Sequence, residues 1–499
     1  MLTLNQLQQE AVDQISNEPT CAAANASMPG VGKTVMSVEV AKAVHARTIL
    51  VIAPLQVEDE FRETFALQEV DLPFQKIDST PKGDLAKANF QWQVPGIYFV
   101  GTQMFTRLGW VKTPILDKNN QPVLDANGKP KIKTRRTTMW DTPVDMIIFD
   151  EAHAAQNSKS WTFKTLMNTH TSYKLAQSGT LTGNNFEGAF AIARWLWPDL
   201  IDPDKRKWVD RWCETTFDPF SYTKKKVVGE LNPGAFFDWV PCYVRLESTV
   251  DVEVDDQTVE VDLYPEQRRA YESLVQNMLA WVQDGDGETK PLVVNFPIVQ
   301  RIRLRQATLG MFSLALSPNQ PPSDSGKPPK MDVVFAEDCV SSKLDVMLDR
   351  ILDKDFEGEP ALIFTDSEIF AGVTVARINA KYGEDSARKW SGKVKRATRD
   401  SDKQDFLDGK YKYLVAVIAS IGTGTNKLQL ATRNMLYLSS MDSRIGMEQS
   451  EARLIRTGQT RTVRIRRILA NDTMDSGILD KHIRDAINMN ATLKKRARK

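Results

Sequence analysis

The residues of this chain best suited to chemistry fall in three groups far apart in sequence. The first is Pro29-Gly30-Val31-Gly32-Lys33-Thr34. A glycine-containing loop that ends in lysine and a hydroxyl, and then runs into a helix, can hold phosphate. Backbone N–H groups of the loop and the helix N-terminus cradle the oxygens. The Lys33 ammonium would reach the β- and γ-phosphates, and the Thr34 hydroxyl would hold Mg²⁺. The usual G-x-x-x-x-G-K-T spacing calls for glycine at position 27, and Ser27 stands there. The second group is Asp150-Glu151-Ala152-His153. Asp150 could hold the Mg²⁺, and Glu151 could orient and deprotonate an attacking water. The third group is Gln449, Arg453 and Arg456. The two arginines are three apart and share one face if the segment is helical. They read either as a solvated basic face or as arginine fingers that reach a γ-phosphate. Gln8 joins the first group by its chemistry, because a side-chain amide can pair with a donor and an acceptor on an adenine edge. The same stretch also reads as an ordinary amphipathic helix, with Leu4, Leu7, Ala11 and Val12 on one face.

These residues need elements to hold them. Thr20 to Ala24 reads as a buried strand before the loop, and Val35 to Val44 as a helix after it. Thr48 to Pro54, Ile97 to Thr102 and Val144 to Phe149 are near-continuous apolar runs, the pattern of parallel strands buried on both faces. The last runs straight into Asp150, so the acidic pair falls at a strand's carboxyl end, where open α/β sheets bind ligands. Ser178-Gly179-Thr180 reads as a small hydrogen-bonding loop near the same edge. A second α/β unit follows from Pro360 to Phe364, Tyr413 to Ile418 and Met435 to Leu438. It carries a polar loop, Gly422 to Asn426, and an alternation of Arg464 and Arg466 with Val463 and Ile465, as in a strand with one basic face.

Between the units, residues 206–330 lose the strand–helix alternation. Trp208, Trp212, Phe217 and Phe220 suggest an aromatic-rich helical insertion, with core packing preferred over base stacking. Residues 317–330 have a linker's composition. Residues 111–139 read equally well as a protruding basic hairpin, signalled by Asn127-Gly128, or as a surface loop. The expected architecture is α/β. It has a first parallel-sheet unit over 1–205 carrying the 111–139 insertion, then a helical insertion and linker over 206–330. A second parallel-sheet unit over 331–485 and a basic tail over 486–499 follow.

Bulk composition narrows the class. A chain of 499 residues, 41% hydrophobic and 26% charged, predicts two or three globular domains and argues against disorder or a membrane protein. No apolar run reaches the roughly 18 residues of a membrane span, and the N-terminal stretch carries no secretory pattern. Four widely spaced cysteines (Cys21, Cys213, Cys242, Cys339) predict buried thiols in a reducing, cytoplasmic setting. The 65 Lys and Arg balance 64 Asp and Glu, so any nucleic-acid affinity must come from local basic surface.

The ordered set resembles the superfamily-two helicases, and within them the Swi/Snf-type DNA translocases. The likeness covers nearly the whole chain. Gln8 is similar to the family's adenine-reading glutamine, and Gly30 to Thr34 to its phosphate loop. Ala53-Pro54 and Thr102 resemble its first nucleic-acid-contacting segments, and Asp150 to His153, continuing to Asn157, its acidic motif. Ser178-Gly179-Thr180 resembles the coupling motif, with Leu181 where the family usually has proline. Gly422, Gly424 and Asn426 resemble the loop joining nucleic acid to ATP. Gln449, Arg453 and Arg456, followed by Gly458-Gln459, resemble the arginine-finger motif, with Ala452 in a usual glycine position.

The resemblance implies two tandem RecA-like lobes with ATP bound between them. ATP would be held by Gln8 and by Pro29, Gly30, Val31, Gly32, Lys33 and Thr34, with Mg²⁺ on Thr34 and Asp150. Lys33, Asp150, Glu151, Gln449, Arg453 and Arg456 would be the catalytic set. The implied activity is nucleic-acid-stimulated ATP hydrolysis by a double-stranded DNA translocase working as a monomer away from membranes, with RNA left open. Two other readings stand beside it: a strand-separating helicase using 111–139 as a wedge, and a nucleotide-gated nucleic-acid-binding protein with little motor action. The sequence shows no zinc cluster, added nuclease or chromatin-reading domain, a bare-motor form that suits a cytoplasmic protein of bacterial or viral source.

Overall fold

The computed structural model describes residues 2–77, 95–125, 128, 130–179, 181–182, 186–217, 225–247, 250, 252–283, 298–316, 331–421, 427–439 and 444–478. They form two compact units, one within Met1–Thr249 and one within Val250–Arg484.

In the first unit the strands are β1 (Ala22–Asn25), β2 (Thr48–Ala53), β3 (Phe74–Lys76), β4 (Gly96–Gly101), β5 (Trp110–Pro114), β6 (Ile132–Arg136), β7 (Val144–Asp150), β8 (Thr171–Gln177), β9 (Cys213–Phe217), β10 (Lys225–Glu230) and β11 (Tyr243–Val244). Seven make one parallel sheet in the order β11-β1-β8-β7-β2-β4-β3. Every residue of β2 and β4 is buried, as a strand covered on both faces requires. Successive residues serve opposite faces. Leu50, Ile52, Tyr98, Val100, Ile147 and Phe149 pack into one core layer. Ile49, Val51, Ile97, Phe99, Met146 and Ile148 pack into the other.

In the second unit the strands are β12 (Val254–Val261), β13 (Ser313–Leu316), β14 (Met331–Val334), β15 (Ala361–Thr365), β16 (Ala387–Trp390), β17 (Tyr413–Val417), β18 (Asn434–Tyr437) and β19 (Val463–Ala470). The six-stranded sheet runs β12-β19-β18-β15-β17-β16, all parallel. Ile363, Val415 and Leu436 face one core layer, and Leu362, Leu414 and Met435 the other. The two parallel sheets are the α/β architecture the apolar runs predicted.

The stretch 206–330 is helical only in part. Helices Lys205–Trp212, Ala235–Trp239, Pro265–Gln283 and Ile298–Leu309 alternate with strands. β9 and β10 form an antiparallel hairpin, β11 extends the first sheet, and β12 extends the second. A strand of two residues, like β11, leaves no periodicity to read. β12 reads as polar because its Asp255 and Asp256 pair with Arg466 and Arg467 of its neighbour β19. The compact units divide at Thr249–Val250, inside this stretch.

Core packing holds for Trp208 and Trp212. Trp208 lies against Phe186, Phe190 and Phe236, and Trp212 against Phe236 and Trp239. Phe217, however, is 73% exposed. Cys213, Cys242 and Cys339 are buried thiols, whereas Cys21 is exposed. The basic face expected of β19 is an ion-paired one: Arg464 meets Asp355 O and Glu357, and Arg466 meets Asp255. Residues 111–136 adopt the hairpin alternative, with β5 and β6 antiparallel. No helix among the described residues is long and apolar enough to cross a membrane. Phe220, the 317–330 linker and the 486–499 tail lie outside the described residues.

Candidate active site

Strand register brings the first two groups together. Asn25 ends β1 beside Gln177 of β8, and Gln177 lies beside Asp150 of β7. The phosphate loop, the loop at Ser178 and the acidic pair therefore leave the sheet side by side at its carboxyl edge. Ala53-Pro54 and Thr102 follow β2 and β4 at the same edge.

Gly30 and Gly32 have φ of +83° and +80°, a region that favours glycine. A Cβ at Gly32 would also stand 2.9 Å from Gln8 Nε2. Gly32 caps α2 (Lys33–Ala43), so the helix N-terminus opens onto the loop. Lys33 Nζ donates to Ser27 O (2.9 Å) and Met28 O (3.1 Å), which folds the ammonium back over the loop where phosphate oxygens would otherwise take its protons. Gln8 lies in the first turn of α1 (Gln6–Ser16). Its Nε2 donates to Val31 O (3.0 Å) and its Oε1 accepts from Asn5 N–H (2.8 Å), so its amide tethers the loop. Pro29 packs against Gly179, where a Cβ would lie 3.1 Å from its Cδ.

Ser27 has a structural reason for replacing glycine. Its fully buried hydroxyl accepts from Leu246 N–H (3.0 Å), which ties the loop to the segment after β11. Arg245 reinforces this tie through Ala26 O (3.1 Å) and Gly179 O (3.5 Å). Leu181 is buried in the same apolar layer as Ala24 and Ala189, so a leucine serves where the family usually has proline.

Three carboxylates surround Lys33 and Thr34. Thr34 Oγ1 donates to Glu60 Oε1 (3.1 Å) from α3 (Glu58–Leu67), a residue that no motif pointed to because it arrives from another helix. Burial, then the charge of Glu151, pushes the Asp150 carboxyl up to about 7; Lys33 opposes this and Glu60 adds to it. Glu151 goes the other way. Burial would raise it, but the hydrogen bond and charge of His153, the Lys33 charge and the Ser178 hydroxyl together hold it below the usual range. Ser178 Oγ donates to Glu151 Oε2 (3.2 Å), and His153 Nδ1 lies 3.1 Å from both groups. Glu151 also has φ +50°, a strained conformation that turns the chain sharply at the strand end.

A half-buried Asp150 that resists ionisation, near Lys33, Glu60 and Glu151, fits a divalent cation. Among the described residues no cluster of three or more His, Cys, Asp and Glu ligands occurs. One carboxylate and one hydroxyl, completed by phosphate oxygens and water, suit Mg²⁺, which usually keeps several waters.

The Asp150 shift has a testable sign. Its native pKa lies above the ordinary 3.8, so between about pH 4 and 7 the folded state binds more protons than the unfolded one. Stability falls across that window as pH rises and stays lowered above it. In Mg²⁺-free buffer, Asp150→Asn is expected to melt above wild type at pH 8, with the gap closing toward pH 4, while ATP hydrolysis is lost. Thermal melts across pH check it. A gap independent of pH contradicts the assignment.

The third group lies in the second unit, with Gln449 in a helix and the two arginines on the turns that follow it. The helix Arg444–Glu451 ends before Arg453, and residues 452–458 form successive turns. Arg453 N–H donates to Ser450 O and Arg456 N–H to Leu454 O (both 3.1 Å), so Arg453 and Arg456 do not share a helical face. Their spacing of three is as compatible with turns as with a helix. Gln449 O accepts from Arg453 Nε (3.2 Å). Ala452 has no left-handed φ, and its N–H donates to Glu448 O (3.0 Å), so glycine is not required there. Gln459 locks the segment: Nε2 donates to Gln429 O (3.2 Å) and Thr432 O (3.1 Å), while Oε1 accepts from Thr460 and Arg461 N–H. Gln429 Nε2 returns a bond to Thr457 O (3.1 Å).

Motif reading also missed Lys403. Burial holds its ammonium below the usual range; Asp400 opposes this, and Lys427, Arg453 and Arg456 add to it. Cations thus gather around the two arginines. Thr180, Gly422, Gly424 and Asn426 lie outside the described residues.

These features define a two-unit α/β protein with a phosphate-loop and acidic-pair site in its first sheet. A family model described as SNF2-related domain matches residues 26–308, more than half of the 499. The chain belongs to that family, within the superfamily-two, Swi/Snf-type proteins that the motif set resembled. It is similar to the ISWI chromatin-remodeling complex ATPase CHR17 of Arabidopsis thaliana, 23% identical over 363 residues, which cover 69% of this chain and 30% of the relative. The chain therefore spans about a third of that relative's length. Among solved structures it is similar to the Sulfolobus solfataricus SWI2/SNF2 ATPase core in complex with dsDNA, at 18% identity and a TM-score of 0.39, covering 99% of this chain and 94% of that one.

Proposed function

We propose that the protein is a nucleic-acid-stimulated ATPase that moves along double-stranded DNA. The observation that carries this is the convergence of Lys33, Thr34, Asp150 and Glu151 at one sheet edge in a chain of the SNF2-related family. The printed name of the plant relative, a chromatin-remodeling ATPase, supports the choice of DNA.

In this reading Lys33 leaves Ser27 O and Met28 O to contact the β- and γ-phosphates. The Thr34 hydroxyl, which donates to Glu60 here, and the Asp150 carboxylate would hold the cation. Mg²⁺ supplies neutralisation of the charge that develops on the transferred phosphoryl group. Glu151, held ionised by His153 and Lys33, orients a water and takes its proton. Ser178, bonded to Glu151, reports the state of the base to the loop beyond β8. Gln449, Arg453 and Arg456 would stabilise the transition-state charge. Gln8 tethers the loop from its adenine side. The protein works as a monomer, in the cytoplasm.

A triplex-displacement assay beside a fork-unwinding assay tests translocation. ATP-dependent release of a third strand without fork opening is expected. Fork opening without triplex release contradicts translocation and favours a strand-separating helicase.

A further inference from the structure

The hairpin between β5 and β6 takes no part in the ATP site, yet it is strongly basic. Residues 110–136 hold seven Lys or Arg against two Asp in a protein whose net charge is +1. We propose that this hairpin is an accessory DNA-binding arm that lies along the phosphate backbone of a duplex. The inference rests on the motor reading for its ligand, but not for its geometry.

The arm is rooted firmly. The Trp110 ring meets Trp161 at 4.6 Å, and its Nε1 donates to Thr165 Oγ1 (2.8 Å). Thr137 Oγ1 donates to Leu108 O (2.6 Å), and Thr137 N–H to Gly109 O (2.9 Å). The far end is also built. Ile115 N–H donates to Lys131 O, Lys131 N–H to Val123 O and Val123 N–H to Ile115 O, which closes a small hydrogen-bonded head. The Asp117 carboxylate accepts from Asn119 and Gln121 N–H, so it is spent on a turn.

Lys131, Lys133 and Arg135 recur at every second residue. They therefore share one face, about 6.5–7 Å apart, and all three are exposed. Thr113 and Val111 stand opposite Lys133 and Arg135. Among the described residues, the arm cation that pairs with a carboxylate is Arg136, with Asp141 at the root. A rigid, straight row of cations without acids across the strand repels itself. It matches an extended polyanion better than a compact acidic epitope. A two-stranded ribbon also has the width that a DNA groove admits.

The test uses the full chain and a variant, Lys131→Gln with Lys133→Gln and Arg135→Gln. Binding to a short fluorescent duplex is measured over a salt series, alongside fluorescent-ATP affinity. The variant is expected to bind duplex at least about tenfold more weakly at low salt, with a salt slope shallower by roughly 2.7, at about 0.9 per phosphate contact. ATP affinity should be unchanged. Replacing residues 116–130 by Asn-Gly should leave ATP affinity intact and weaken duplex binding likewise. If wild type and variant bind duplex alike, the arm falls and the motor reading stands. If neither binds duplex, both fall. Equal duplex binding with a variant-specific loss on phosphatidylserine vesicles assigns the row to lipid and overturns the proposal.

Discussion

Replacing Arg456 with alanine is expected to cut ATP hydrolysis by about 10³–10⁵-fold, the range for an arginine finger, while nucleotide affinity stays near wild type. Arg456 sits on a turn held by main-chain hydrogen bonds. Its N–H bonds Leu454 O, its carbonyl accepts from Gln459 N–H (both 3.1 Å), and Gln459 pins the segment to residues 429–432. Alanine therefore removes a guanidinium and leaves the backbone in place. Arg456→Lys should restore little, because an ammonium is a point charge where a planar fork is needed. Single-turnover hydrolysis beside a fluorescent-nucleotide titration measures both quantities. Near-normal turnover in Arg456→Ala removes the residue from the catalytic set.

The largest effect on stability is expected at Lys343, in the second unit. Its side chain is fully buried and donates to Asp475 Oδ2 (2.6 Å) and Leu438 O (2.8 Å). Asp475 in turn accepts from Thr308 Oγ1 (3.2 Å) and Ala470 N–H (3.1 Å). The pair thus joins the helix Ile298–Leu309, the helix Ser342–Val346 and the ends of β18 and β19. Lys343→Ala leaves a buried carboxylate without its counter-charge, which costs about 3–5 kcal/mol. Lys343→Met with Asp475→Leu should recover part of that, because two apolar side chains carry no charge to desolvate. Urea unfolding monitored by far-UV circular dichroism checks the ordering. A cost below about 1 kcal/mol for Lys343→Ala would mean that the pair is solvated in the native state.

Neither Lys343 nor Asp475 was legible in the sequence, and the reason is general to this chain. What could be read was what sits next to its own signal. β2, β4 and β7 are apolar runs buried on both faces, Asp150 and Glu151 stand at the end of β7, and Lys33 and Thr34 open α2. What could not be read arrives through tertiary contact. Glu60 reaches Thr34 from α3, Arg245 reaches the loop from the segment after β11, and Lys403 lies near Arg456 from a helix about fifty residues upstream. Edge strands were hidden for a related reason. The acids of β12 look solvated until the arginines of β19 are placed beside them. The departures from the family pattern became intelligible only with packing: Ser27 holds Leu246 N–H, and Leu181 fills a core position. Motif spacing misled once, at Arg453 and Arg456, where residues three apart lie on successive turns.

In the proposed reading, duplex DNA drives ATP hydrolysis at Lys33, Asp150 and Glu151. Steady-state ATPase at low salt, with no nucleic acid, duplex DNA, single-stranded DNA or RNA, tests it most directly, with Glu151→Gln as the background. The rate is expected to rise at least about tenfold with duplex and less with the single strands, while the Glu151→Gln rate responds to none of them. A rate unmoved by any of the three nucleic acids would contradict it, and would leave a nucleotide-gated binding protein in place of a motor.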